Sequence, residues 1–334
     1  MMFSLYYLLS TNIEGGIMSK YLVTGGAGFI GSHIVEELLK KGESVVVLDN
    51  FSSGKEENLS FISGYEPAAI SYELIKGDIC DKAACLQACK GVDYILHEAA
   101  LRSVPKSMEC PHDYNKVNID GTLNMLEAAK ACGVKRLVLA SSSSVYGDTD
   151  VFPQSETAYP LLISPYALSK LTGEFYCRIF SENFGLETVA LRYFNVFGPR
   201  QAVDDEYAVV IPKFITCILN DRQPPIFGNG KQSRDFTFVK NVVQANILAA
   251  VTPDVSGQVF NVACGKDNSV NDLVDVINKF AGKAIKPNYL PVRQGDVFKS
   301  LADTRKIKTL LKFDPEFTFE EGIKVTFEWF KNKK

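Results

Sequence analysis

The sequence predicts an α/β fold, a doubly wound parallel sheet covered by helices on both faces, followed by a smaller C-terminal α/β lobe. Three observations carry this. Short apolar runs alternate with helical stretches from Lys20 to Leu191, the pattern of a parallel sheet. A glycine-rich turn joins the first run to the first helix. After Phe197 the rhythm breaks, with Pro199, Pro212, Pro224 and Pro225 punctuating shorter elements.

Each element can be justified in order. Tyr21-Leu22-Val23-Thr24 is a short apolar strand entering the glycine turn. Ile30, Ile34 and Leu38, with Val35 and Leu39 beside them, then recur at helical spacing, and Gly42 closes that helix. Ser44–Leu48 is a second buried strand ending at Asp49. Ile70–Lys76 is a third, followed by Asp78 and a helix through Cys89. Val92–Leu96 is the fourth strand, Asn115–Cys132 a helix, and Arg136–Ala140 the fifth strand, running into Ser141–Ser144. Pro165–Asn183 is a long helix that Ser164 suits as cap and Pro165 as first residue. Glu187–Leu191 is the sixth strand. Beyond Gly228-Asn229-Gly230, a turn, come a helix over Asn241–Val251, a strand over Gln258–Val262 and a helix over Ser269–Ala281. Right-handed crossovers give this order a doubly wound topology.

At roughly 100–200 residues per domain, 334 residues suggest two units. The reading is a dinucleotide-binding domain over 18–197 with return segments near 236–262, and a lobe from 198–235 and 263–331. Residues 1–17 are left unassigned. Their apolar stretch, 3–9, falls short of the ~20 residues a membrane span needs, lacks a basic leader, and is followed by a second start at Met18.

Composition narrows the function. Apolar residues at 46% and charged residues at 22% exclude disordered and collagenous chains. Lys+Arg 36 against Asp+Glu 39, net −3, lacks the basic excess of a nucleic-acid surface. A phosphorylated small molecule held by a few placed groups remains open. Eight cysteines show no C-x-x-C pair and have only three histidines for company. That argues against a metal site and for reduced thiols in the cytosol.

The turn reads Gly25-Gly26-Ala27-Gly28-Phe29-Ile30-Gly31, between a strand and a helix. Gly25 permits the tight turn, Gly28 lets the backbone approach a pyrophosphate, and Gly31 lets the helix pack on the sheet. The helix N-terminus favours the pyrophosphate charge. Asp49, at the tip of the second strand, accepts from ribose hydroxyls and repels a 2′-phosphate, which selects NAD over NADP. Asp78 is either an adenine contact or the N-cap of the following helix. Tyr166 and Lys170 form Y-x-x-x-K, i and i+4 on one helical face. An ammonium near a phenol favours the phenolate, making Tyr166 a base near neutral pH. A serine of Ser141–Ser144, after the fifth strand, can bond both the tyrosine oxygen and a sugar hydroxyl.

With these motifs, and with Leu191-Arg192-Tyr193-Phe194-Asn195-Val196-Phe197-Gly198-Pro199, the chain from about Lys20 to Lys331 resembles the extended short-chain dehydrogenase/reductase family. The family fold is a Rossmann domain with a nucleotide-sugar lobe. Within it the chain is similar to the UDP-hexose 4-epimerases, above all the UDP-N-acetylhexosamine branch, through Leu96–Leu101, Ser103-Val104-Pro105 and Tyr207–Lys213. The resemblance implies NAD held by Gly25, Gly28, Phe29, Ile30, Gly31, Asp49, Asn50, Asp78, Ile79 and Ala99, with Tyr166 and Lys170 at its reacting end. It implies a catalytic set of Ser142, Tyr166 and Lys170. It implies a UDP-sugar bound by Ser103, Ser142, Ser143, Tyr166, Asn195, Val210, Phe227, Arg234, Arg293, Asp296 and Ser300. Arg234 and Arg293 would hold the diphosphate, Asp296 the ribose, and Phe227 with Val210 the uracil.

The implied reaction is C4 epimerisation through a transient 4-keto sugar. Relatives that dehydrate carry an Asp-Glu pair after the catalytic serine, and decarboxylases a Glu. Here both positions are serines, Ser143 and Ser144, which argues for epimerisation. Ser300, where strict UDP-glucose enzymes tend to place a bulky residue, leaves room for a 2-N-acetyl group. Arg102 stands where close relatives often have a small residue and suits an acidic substituent such as a uronate. The alternatives are therefore a UDP-uronic-acid 4-epimerase, a UDP-glucuronate decarboxylase, or an NAD-binding protein without catalysis. The resemblance further implies a homodimer pairing Asn115–Cys132 and Pro165–Asn183, a cytoplasmic location, and a supply role in polysaccharide biosynthesis.

Overall fold

The computed structural model describes residues 18–66, 70–202, 210–292 and 297–333. Seven parallel strands form the main sheet: β1 (Lys20–Thr24), β2 (Ser44–Asp49), β3 (Tyr72–Lys76), β4 (Tyr94–His97), β5 (Arg136–Ser142), β6 (Glu187–Tyr193) and β7 (Gln258–Val262). Their spatial order is β7-β6-β5-β4-β1-β2-β3. The order reverses at β1, which pairs with β2 on one side and β4 on the other. In such sheets ligands bind outside the carboxyl ends of the strands at this reversal.

The helices that cover the sheet are α1 (Phe29–Lys40), α2 (Lys82–Ala88), α3 (Gly121–Ala131), α4 (Pro165–Asn183) and, from the second half of the chain, α6 (Val239–Val251). Alternation along each strand sends side chains to opposite faces. Tyr21 and Val23 join the core with Ile34 and Leu38 of α1 and Val242 and Ala249 of α6. Leu22 joins the opposite core with Cys85 of α2, Met125 of α3 and Cys177 of α4. A third core ties the lobe together. There α5 (Val210–Leu219), α7 (Val270–Ala281) and α8 (Phe319–Asn332) pack Phe214, Ile277 and Phe327 around Phe197 and Phe238.

The expected helix over Pro165–Asn183 forms as predicted, with the Ser164 hydroxyl accepting from Ala167 N at 3.1 Å. From beyond Phe197, β7 pairs with β6 and α6 packs against one face of the sheet. Several boundaries differ: β3 starts at Tyr72, β4 spans Tyr94–His97 and α6 starts at Val239. The segment expected as a helix over Asn115–Cys132 begins with a π-helical stretch, Asn115–Asp120, before α3. β5 and β6 run on to Ser142 and Tyr193, because ladder pairing Ser142↔Tyr193 outweighs the polar character of the serine run.

Candidate active site

At the carboxyl edge of the sheet, roofed by the lobe, lies a cavity of about 920 Å³. At its cofactor end Gly25 adopts φ +66°, and its carbonyl accepts from Gly28 N at 2.9 Å. A Cβ on Gly31 would stand 2.2 Å from that same carbonyl. Without a side chain at Gly31, α1 closes directly on the turn that leaves β1. α1 starts at Gly28 with neither a side-chain cap nor an acidic residue in its first turn. Its N-terminal field is left for an anion. The Asp49 carboxylate accepts from Ala27 N at 2.9 Å and Phe51 N at 2.8 Å, one on each oxygen. Each oxygen keeps a second lone pair for a ligand hydroxyl, and Asp49 lines the cavity. Asp78 lines it too, bonded by Asn50 Nδ2 at 2.8 Å and Cys80 N at 2.8 Å. It does not cap α2: that role belongs to Asp81, which accepts from Ala83 N. Phe29, Ile30, Asn50, Ile79 and Ala99 complete this end of the wall.

At the reacting end, Ser142 and Tyr166 both line the cavity. The Tyr166 ring meets Tyr114 edge-on, with centroids 6.3 Å apart. Asn118 binds Leu101 through both its carbonyl and its amide, and reaches Ser169 of α4 at 3.0 Å, so the 101–102 segment is pinned beside Tyr166. Lys170 is buried, and its Nζ donates to Ala140 O at 2.8 Å. Burial pulls the Lys170 ammonium down to about 8, although Glu98 and Glu174 oppose this. Burial raises the Tyr166 phenol above its ordinary value, while the Ser142 hydroxyl and Arg102 pull it back and Glu98 adds to the rise. This corrects the expectation that Lys170 depresses it. Lys170 Nζ is held on a carbonyl, 5.9 Å from the Tyr166 ring centre, and desolvation of the phenolate dominates.

These features decide the family, and the sequence agrees: residues 21–263 match the NAD dependent epimerase/dehydratase family. The chain belongs to that family. It is similar to the UDP-N-acetylglucosamine 4-epimerase of Methanobrevibacter ruminantium M1, solved with UDP-N-acetylmuramic acid. The two share 43% identity over 96% of this chain and 100% of that one, with a TM-score of 0.89. It is 38% identical to the UDP-glucose 4-epimerase of Mycolicibacterium smegmatis, covering 94% of this chain and 99% of that protein. It is 35% identical to the UDP-glucuronate 4-epimerase of Thermodesulfobacterium geofontis, covering 94% and 97%. The cofactor of this enzyme is NAD. The glycine cradle, the uncapped α1 N-terminus and the acceptor-only Asp49 fit that dinucleotide.

The rest of the wall belongs to the lobe. Ser300 is buried on a short strand, Lys299–Ser300, opposite Arg234. Its hydroxyl accepts from Asn195 Nδ2 at 3.4 Å. Asn195, Val210, Phe227, Arg234, Ser143 and Arg102 also line the cavity. Arg234 Nη1 donates to Ser233 O at 2.9 Å and Phe298 O at 3.2 Å. Ser103 does not line the cavity; its hydroxyl accepts from Lys106 N at the start of the helix Val104–Glu109. Arg293 and Asp296, and Tyr207–Val209 of the branch motif, lie outside the described residues. Sequence reasoning missed Glu98, Gln154, Gln201 and Ser144 as wall residues. The last three each hold a buried oxygen with no hydrogen-bond partner among the described residues. Glu98, inside Leu96–Leu101, and Ser144, inside Ser141–Ser144, sat in motifs already singled out.

Proposed function

We propose that this chain, an NAD-dependent UDP-sugar 4-epimerase, interconverts UDP-N-acetylglucosamine and UDP-N-acetylgalactosamine, with UDP-glucose and UDP-galactose as a secondary pair. The observation that carries the substrate choice is Ser300, a small side chain in the cavity wall beside Asn195. The likeness to a UDP-N-acetylglucosamine 4-epimerase supports it.

NAD, held by the glycine turn and Asp49, would supply an acceptor for the C4 hydride of the sugar, to be returned to the other face. Tyr166 takes the proton of the 4-hydroxyl and gives it back. Ser142 bonds the 4-oxygen and steadies the phenol oxygen. Lys170 keeps a positive charge at this end of the site and holds the cofactor ribose. Ser143 and Ser144 carry no carboxyl, so the two positions that hold the acid–base pair in dehydratases lack it here. Arg234 and Arg293 fork onto the diphosphate. Asp296 takes the uridine ribose, and Phe227 with Val210 flanks the uracil. Asn195 completes the sugar end.

A second reading has its own observation. Arg102 lines the cavity, and its charge acts on Tyr166, so a sugar acid could pair with it. Relative kcat/KM on UDP-N-acetylglucosamine, UDP-glucose and UDP-glucuronate separates the two. The first substrate leads on the proposed reading; preference for the uronate replaces it.

We also infer a homodimer. Leu168, Phe175 and Ile179 lie exposed along α4, an apolar stripe suited to a second copy of this helix. Light scattering tests it. Among the described residues no helix is long and apolar enough to cross a membrane. All eight cysteines are free thiols, in keeping with a cytosolic enzyme. A role in polysaccharide supply follows from the substrate proposed.

A further inference from the structure

Glu98 follows β4 at the point where the strand order reverses. Its side chain is half-buried and forms part of the cavity wall. Oε1 accepts from the Tyr193 hydroxyl at 2.6 Å. That hydroxyl in turn accepts from Asn246 Nδ2 at 2.7 Å. Asn246 is fully buried on α6 and also donates to Val242 O. Three elements therefore converge to hold one carboxyl at the reacting end of the cavity. A carboxylate drawn partly out of water is costly unless its setting uses it. Its field reaches both Lys170 and Tyr166. In the proposed reaction Tyr166 serves the hydroxyl of the same sugar carbon whose hydride the nicotinamide would take, so a ring held there would share the field at the phenol.

We propose that Glu98 sets the redox poise of the bound cofactor: its carboxylate favours the cationic, oxidised nicotinamide over the neutral, reduced one. Reduction moves two electrons and one proton from C4 to the ring and cancels the ring's positive charge. A neighbouring negative charge opposes that step and leaves the enzyme ready to begin a cycle. This rests on Tyr166 standing at the reacting carbon, and not on which UDP-sugar is used.

Burial raises Glu98 to about 7, against the Tyr193 hydrogen bond and Lys170. The charge is thus present above neutrality and lost below it. The groups facing it are Tyr193 from β6, Lys170 and Tyr166 from α4, and Arg102 from its own loop by way of Tyr166. Neighbouring His97 is pulled down to about 3 by burial and stays neutral.

The test is a redox titration of the NAD-loaded protein without sugar, read by the absorbance of the reduced nicotinamide. In Glu98→Gln at about pH 8 the equilibrium shifts about tenfold toward reduced cofactor, about 30 mV for this two-electron couple. The parent and variant converge toward about pH 6, where Glu98 is protonated in the parent. Tyr193→Phe removes a donor to the carboxylate, so the bend in the pH curve moves to higher pH while the alkaline plateau stays. Equal potentials at about pH 8, or an offset that does not change with pH, overturn the proposal. If Glu98→Gln does not fold, Tyr193→Phe decides: an unmoved bend overturns it. Because no sugar is present, an error in the substrate reading leaves this outcome untouched.

Discussion

Replacing Ser300 by tyrosine tests the substrate choice where the structure is tightest. Ser300 is buried, its carbonyl accepts from Asp235 N at 2.8 Å, and its strand is paired with Ser233–Arg234. The backbone has little freedom to retreat, so a phenol ring there must enter the cavity beside Asn195. A 2-N-acetyl group would then lose the burial of its methyl, about 0.8 kcal/mol, and one hydrogen bond of about 1 kcal/mol. Together these amount to about 2 kcal/mol, or about 30-fold in kcat/KM. UDP-glucose has only a hydroxyl at that carbon and loses no more than about threefold, about 0.7 kcal/mol. The assay is kcat/KM for both substrates, followed by NMR of the C4 epimers. An equal loss on both sugars refutes the gate, as does a preferential loss on UDP-glucose.

Further outcomes follow from the same geometry. Tyr166→Phe lowers turnover by about 10²–10⁴-fold, the usual worth of a placed acid–base group, while NAD content of the purified protein is unchanged. Gly31→Ala drives a methyl against the Gly25 carbonyl, which it would approach to 2.2 Å. At roughly 1–3 kcal/mol of overpacking, NAD binding weakens about 10- to 100-fold by calorimetry. Lys170, lowered to about 8 by burial, is charged below that pH and neutral above it. The pH–rate profile therefore falls on its alkaline side near there. In Lys170→Arg, at lower overall activity, that limb moves upward because a guanidinium stays protonated.

Much of the fold was legible because its signals are local. The glycine turn, the Ser164-Pro165 start of α4 and the buried strand Ser44–Asp49 each depend on neighbours a few residues away. The i, i+4 relation of Tyr166 and Lys170 is equally local and held. What that pair does was not legible. The partner of Lys170 is Ala140 O on another strand, and the direction of the Tyr166 shift is set by burial that no spacing reveals. Glu98 illustrates the same limit. Its hydrogen bond to Tyr193 joins residues 95 apart in the chain, so only the assembled sheet edge shows that Leu96–Leu101 carries a carboxyl into the cavity. Asp81 displaced Asp78 as the α2 cap for a short-range reason. Asp81 is placed to accept from Ala83 N, while Asp78 is engaged by Asn50 and Cys80.

The proposed reaction inverts C4 of UDP-N-acetylglucosamine by removing and returning the same hydrogen. Incubating the protein with UDP-N-acetylglucosamine deuterated at C4, in ordinary water, tests it in one NMR spectrum. The account predicts UDP-N-acetylgalactosamine with the deuterium still at C4. Product with hydrogen at C4, or no C4 inversion of this sugar while UDP-glucuronate or UDP-glucose is inverted, contradicts it.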